Sequence, residues 1–126
     1  MLMLILFSMF DWGDYLKLAN EFSETDWASS DAEAYYRCAI SRAYYSAFHK
    51  SKKFIIDKGV SLNRQNKDYS HQEIIDELNK IDSWAGSYLS KLKKNRHDSD
   101  YKNDITIGKK IAKTSITFAG NIIGQL

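Results

Sequence analysis

Apolar positions recur along this chain at helical spacing, and no stretch keeps the strict alternation of a half-buried strand. In "DWGDYLKLANEF", Trp12, Tyr15, Leu16, Ala19 and Phe22 form one stripe, with Asp11 as the N-cap. The longest pattern, "AEAYYRCAISRAYYSAFHKSKKFIIDK", has Ser30 or Asp31 before it and Gly59 as its stop. It is apolar or aromatic on nearly every side, which marks a central helix or one shared with a partner chain. A polar loop, "VSLNRQNKDY", follows. "SHQE" then reads as a capping box, with Ser70 as cap and Glu73 three residues on, opening a helix that carries Ile74, Ile75, Leu78 and Ile81. "DSWAGSYLSKLKK" continues as another, capped by Asp82 or Ser83, with Trp84, Tyr88 and Leu92 at helical spacing. The last helix is read from "DITIGKKIAKTSITFAGNIIG", with Ile107, Ile111, Ser115, Phe118 and Ile122 on one face. With no proline anywhere, the pattern predicts an all-α protein, an antiparallel bundle of four to five helices.

The 126 residues suit a single domain, read as residues 10–126, with the apolar "MLMLILFSM" of residues 1–9 as an arm packing on the domain or on a second subunit. That arm lacks a basic leader and is far too short to span a bilayer, which needs about 20 apolar residues. Cys38 is the one cysteine, so there is no disulfide framework and no thiolate set for zinc. A cytoplasmic location is the default for such a chain. The net charge of +2 conceals an asymmetry: residues 1–36 hold seven acids against Lys17, about −6, and residues 37–126 hold seventeen Lys and Arg against nine acids, about +8. A basic face of this kind attracts phosphate backbones, although a solvated helix surface looks the same in sequence.

Gly-rich phosphate loops, HExxH, paired cysteines and EF-hand patterns are all missing, so neither a cofactor nor a metal site is expected. Two polar clusters remain. In "SRAYYSAFH", Arg42 and His49 are seven residues apart, on one face and separated by about 10 Å along the axis, with Tyr45 between them. They suit an anion or a phosphodiester; the alternative is a buried cation paired with a carboxylate and a packing histidine. In "KKNRHDSDY", Lys93 and Lys94 precede Arg96, His97, Asp98, Asp100 and Tyr101, in what reads as a segment joining two helices. Arg96 offers a planar fork for phosphate and His97 a general base or acid. The alternative is a polar joint in which Asp100 forms a salt bridge with Arg42.

"FDWGDYLKLANEF", "RCAISRAYYSAFHKSKKFI" and "LKKNRHDSDY", in this order and followed by an amphipathic helix, resemble the HEPN superfamily. The resemblance is to its small stand-alone prokaryotic branch, whose segments read S-R-A-Y-Y-x-x-F-H and R-x-x-A-D-Y; here Ser99 replaces the alanine. It implies a helical bundle, usually a homodimer. Many members are metal-independent endoribonucleases, several are toxins paired with a nucleotidyltransferase-like antitoxin, and others serve antiviral defence. The family's ribonuclease motif is an arginine, a polar residue, and a histidine after four to six intervening positions. Arg96 matches the arginine and His97 the polar follower, but Tyr101 stands where the histidine is expected.

Two functional expectations follow. One is an HEPN protein of the toxin–antitoxin or defence type acting on RNA, with Arg96, His97 and Tyr101 as the catalytic set of a degenerate motif. The other is a non-catalytic module that binds a nucleotide, a nucleic acid or a partner protein. For either, Arg42, His49, Lys93, Lys94 and Arg96 are the residues expected to meet RNA or nucleotide.

Overall fold

A computed structural model of the chain describes residues 9–62 and 70–126. The expected arm at residues 1–9 and the polar loop after Gly59 lie largely outside the described residues. Five helices and no strand occur among those residues: α1 (Gly13–Ser23), α2 (Ala32–Asp57), α3 (His71–Ile81), α4 (Ser83–Tyr101) and α5 (Lys109–Gln125). The chain is thus the all-helical bundle that its periodicity predicts.

The helix ends follow from local chemistry. Asp11 Oδ1 accepts from the Gly13 amide at 2.8 Å, so the aspartate fastens the start of α1 from one residue further out than an N-cap, a position that Trp12 holds. Asp31 is the N-cap of α2, without a side-chain hydrogen bond to the helix. Ser70 Oγ and Asp82 Oδ1 accept from the amides of Glu73 and Ala85 and open α3 and α4. Gly59, at φ 85°, takes the left-handed conformation that ends α2, and the Val60 amide returns to the Ile55 carbonyl.

Central α2 packs against every other helix. Its small residues explain how: Ala39, Ala43, Ser46, Ala47 and Ser51 are buried on several sides and let neighbours approach closely. Between them Ile40, Tyr44 and Ile55 are fully buried, each contributing about 1.5–3 kcal/mol of transfer free energy. Helices α3 and α4 cross where Gly86 lies against Asn79; a Cβ at Gly86 would come within 2.6 Å of the Asn79 Cα.

Two elements differ from expectation. Residues 93–101 are not a joint but the last turns of α4, whose apolar spacing ends at Leu92 because the remaining turns face polar and aromatic partners. Helix α5 begins at Lys109, not at Asp104, with Gly108 as its N-cap. The residues between are held by side chains of α2 instead. Arg37 donates to the carbonyls of Ser99 (3.0 Å), Lys102 (2.7 Å) and Ile105 (2.8 Å), and Glu33 accepts from the Ile107 amide at 3.2 Å while pairing with Arg37 at 2.9 Å. Ile107, buried, therefore enters the core from the segment before α5 rather than from a helical stripe.

Candidate functional site

The last turns of α4 lie against the middle of α2, and this contact builds the site. Arg96 turns inward: its side chain is only 11% exposed, and its guanidinium carbon lies 5.3, 5.6 and 5.9 Å from the ring centroids of Tyr44, Tyr45 and Tyr101. A weakly hydrated, planar cation suits such an aromatic socket. One Arg96 Nη meets Asp100 at 3.7 Å, one turn on along α4, and its buried Nε has no hydrogen-bond partner among the described residues.

Asp100 also accepts from the Ser41 hydroxyl at 3.4 Å, and Arg42 reaches the same hydroxyl at 3.4 Å. The expected salt bridge between Arg42 and Asp100 is therefore replaced by a link through Ser41, while the carboxylate pairs with Arg96. Helical geometry explains the change, because Arg96 and Asp100 are four residues apart on one helix.

Tyr101 closes α4 and is 67% exposed. His97, also exposed, lies on the outer side with its ring 5.0 Å from that of Tyr101. Arg96, His97 and Tyr101 are thus brought together, with Tyr101 between the cation and the imidazole. The flanking lysines are engaged locally: Lys93 donates to Gln72 at 3.3 Å, and Lys94 pairs with Asp98 at 3.1 Å.

On the other side of Tyr45 lies a groove of about 360 Å³ between α1 and α2, lined by Trp12, Tyr15, Arg42, Tyr45 and His49. His49 stacks on Trp12 with 3.6 Å between ring centroids, and Lys50 pairs with Asp11 at 2.9 Å, so both fasten the start of α1 to α2. Burial, then the charge of Lys52, pulls the His49 imidazole down to about 4, so it is neutral at physiological pH. The Arg42 guanidinium lies 4.8 Å from the Tyr15 ring and 5.8 Å from that of Tyr45, and among the described residues no carboxylate comes within 4 Å of it. Arg42 and His49 therefore share one groove, as their spacing suggests, with the histidine as a stacked wall.

Sequence reasoning missed two groups. His71, which follows the Ser70 cap, enters the same aromatic cluster: its ring stacks on Phe48 at 4.4 Å and its Nδ1 lies 2.5 Å from the Tyr44 hydroxyl. Burial raises the Tyr44 phenol, and burial followed by the charges of Arg96 and Lys93 lowers the His71 imidazole. Both shifts favour the neutral forms, a protonated phenol and an uncharged imidazole, which share one hydrogen bond. Arg37 was the second omission; its only sequence signal is Glu33 one turn earlier. Among the described residues no three His, Cys, Asp or Glu side chains gather as a metal set, and no helix is long and apolar enough to cross a membrane.

An all-helical bundle with an arginine socket where its fourth helix ends against its second narrows the class of protein to small helical domains with a polar, aromatic-rimmed site. The HEPN domain model matches residues 13–125, nearly the whole chain, and the protein belongs to the HEPN family. No curated protein matches the chain significantly.

Proposed function

We propose that this HEPN protein acts on RNA, in a toxin–antitoxin or antiviral-defence setting, through the end of α4. The observation that supports this reading best is the convergence of Arg96, His97 and Tyr101 there, a cation and two exposed rings at the position of the family's ribonuclease motif. Arginine suits the phosphate, and exposed aromatic rings suit unpaired bases. Lys93 and Lys94 add positive charge along the approach.

Should the site cleave, Arg96 steadies the scissile phosphate while the ribose 2′-hydroxyl attacks phosphorus and the 5′-oxygen leaves with a proton. No metal enters this scheme. His97 of a second copy, across a homodimer cleft, is the candidate imidazole that takes the 2′ proton and, as imidazolium, gives it to the departing 5′-oxygen. A second reading, RNA binding without turnover, is favoured by the position of Tyr101 in the histidine's place and by the shallow exposure of Arg96. A nucleotidyltransferase-like antitoxin is the partner proposed for either reading, and the cytoplasm the location.

The test is binding and cleavage of varied single-stranded RNAs by the purified protein in EDTA, for wild type and Arg96→Ala. Salt-sensitive binding that Arg96→Ala weakens supports the reading, and accompanying cleavage selects the enzyme. Wild type that neither binds nor cleaves RNA, alone or with its partner, overturns it.

A further inference from the structure

Three rings and one long ion pair hold the Arg96 guanidinium, whose buried Nε has no partner among the described residues. Its direction therefore depends on how firmly those rings are fixed. Tyr101 is largely exposed, and Tyr45 is half-buried and shared with Arg42. Tyr44 differs. It is fully buried, its ring centroid is the nearest of the three at 5.3 Å, and its hydroxyl shares a hydrogen bond of 2.5 Å with His71 Nδ1. A buried hydroxyl without a partner is costly, so this bond pins the far end of the ring.

His71 serves as a pin because it is itself fixed. Ser70 caps α3 through the Glu73 amide, which sets the first turn, and the imidazole stacks on Phe48 at 4.4 Å. Among the described helices, α3 packs on α2 and α4 alone. Its next residue, Gln72, accepts from Lys93 at 3.3 Å, one turn before Arg96 on α4. Further along, the crossing at Gly86 leaves no room for a Cβ against Asn79, so α3 is seated on α4 at two levels. Charge agrees with this geometry. Towards the imidazole α2 turns Tyr44, Tyr45 and His49, and α4 contributes the charges of Arg96 and Lys93; none of these is an acid. A neutral ring fits there, where another cation would repel Arg96.

We infer that His71 is a positioning residue for Arg96: held at the start of α3, it fixes Tyr44 through the hydroxyl, and the Tyr44 ring aims the guanidinium. The imidazole acts through Tyr44 and takes no part in proton transfer, so its role differs from that of His97. By this route α3, a helix outside the site, sets the direction of the cation at the end of α4. The inference rests on the RNA reading for what Arg96 binds, whereas the chain of contacts from His71 through Tyr44 to Arg96 is independent of that reading.

The test compares full-length wild type, His71→Phe, Tyr44→Phe, the double variant, and His71→Asn, which returns an amide near the place of Nδ1. Phenylalanine keeps a ring at each position and removes the bond. The Nε–Hε nuclear magnetic resonance signal of Arg96, assigned by its loss in Arg96→Lys, reads the guanidinium directly. Affinity for a mixed-sequence single-stranded RNA reads its use. Both single variants are expected to move the Arg96 signal and to weaken RNA binding about three- to tenfold. The double variant should bind no worse than either single one, because the same bond is lost in all three. His71→Asn should restore signal and affinity toward wild type, which loss of mere packing would not allow. An Arg96 signal unmoved in both single variants overturns the inference, as do additive losses in the double variant. RNA binding that weakens in Arg96→Ala but in neither single variant leaves the RNA reading standing and removes the positioning role. A signal that moves and is restored, in a protein that binds no RNA, establishes the positioning role and removes the RNA reading. Should His71→Phe fail to fold, Tyr44→Phe, which keeps the imidazole and its stacking, carries the same prediction.

Discussion

Arg42 and Arg96, from two different helices, share one tyrosine: their guanidinium carbons lie 5.8 and 5.6 Å from the ring centroid of Tyr45. Two like charges at one ring repel each other, and an anion bridging them relieves that repulsion. Tyr45 is thereby the middle of a strip that runs from the α1–α2 groove to Tyr101.

Replacing Tyr45 with leucine keeps a half-buried apolar side chain but removes the ring face. Each cation–ring contact contributes about 0.5–1 kcal/mol at such a site. RNA affinity is expected to fall roughly three- to tenfold. Filter binding well below the melting transition reads this, while the melting temperature should itself fall by several degrees, because the same contacts stabilise the fold.

Asp100 provides a sharper structural test. A double-mutant cycle on Arg96 and Asp100 should give a coupling of about 0.5–1 kcal/mol, appropriate to a partly exposed pair. The cycle on Arg42 and Asp100 should give a value near zero, because the two meet only through Ser41. Equal couplings in both cycles would show that Asp100 turns toward Arg42 in solution.

Arg37→Ala removes the donors that hold the carbonyls of Ser99, Lys102 and Ile105 and frees Glu33 from its pair. Water reaches part of this segment, so the expected loss is about 2–3 kcal/mol rather than the full sum of charged hydrogen bonds. Melting should drop by roughly 8–12 °C. Amide exchange should accelerate between residues 99 and 107 first.

Protonation gives a window of its own. The His49 imidazole is held at about 4 in the folded protein against an ordinary 6.5, chiefly by burial, and His71 is lowered in the same sense. Above pH 6.5 the imidazoles are neutral in both states and the full stability is present. As pH falls from 6.5 toward 4 the unfolded chain binds protons that the folded chain refuses, so stability declines. Asp11, Glu24, Glu33 and Asp98 lie below their ordinary values, held by Lys50, Lys113, the Ile107 amide and Lys94 respectively. Their stabilisation is present above the ordinary carboxylate range and is lost only as pH falls below about 4.5. Chemical denaturation from pH 7 to 5 should therefore show a decline that becomes shallower in His49→Gln. An unchanged slope in that variant would place the effect elsewhere.

The helices were legible because period, caps and stops agreed: Ser70, Asp82 and Gly59 mark boundaries by chemistry that acts within a few residues. The start of α5 was not, since Ile107 carries the helical spacing of Ile111 but lies outside the helix, where Glu33 holds its amide and Arg37 the carbonyls before it, both far away in sequence. The same limit governs the site. Seven-residue spacing was enough to place Arg42 and His49 on one face. A four-residue spacing pairs Arg96 with Asp100 only once residues 93–101 are helix rather than a joint, and nothing local could tell that His71, read as a residue after a cap, would meet Tyr44. Trp12 and Tyr15 read as core stripe, and the fold makes them a groove wall because α1 covers α2 incompletely there.

RNA is proposed to be engaged at the arginine socket where α4 ends. The most direct test of this is the affinity of wild type and Arg96→Ala for a single-stranded RNA in EDTA, measured over a range of salt. Saturable binding is expected that weakens with salt and falls at least about tenfold in Arg96→Ala, with the variant still folded by circular dichroism. Equal RNA affinity for the two proteins, at every salt concentration, would contradict it.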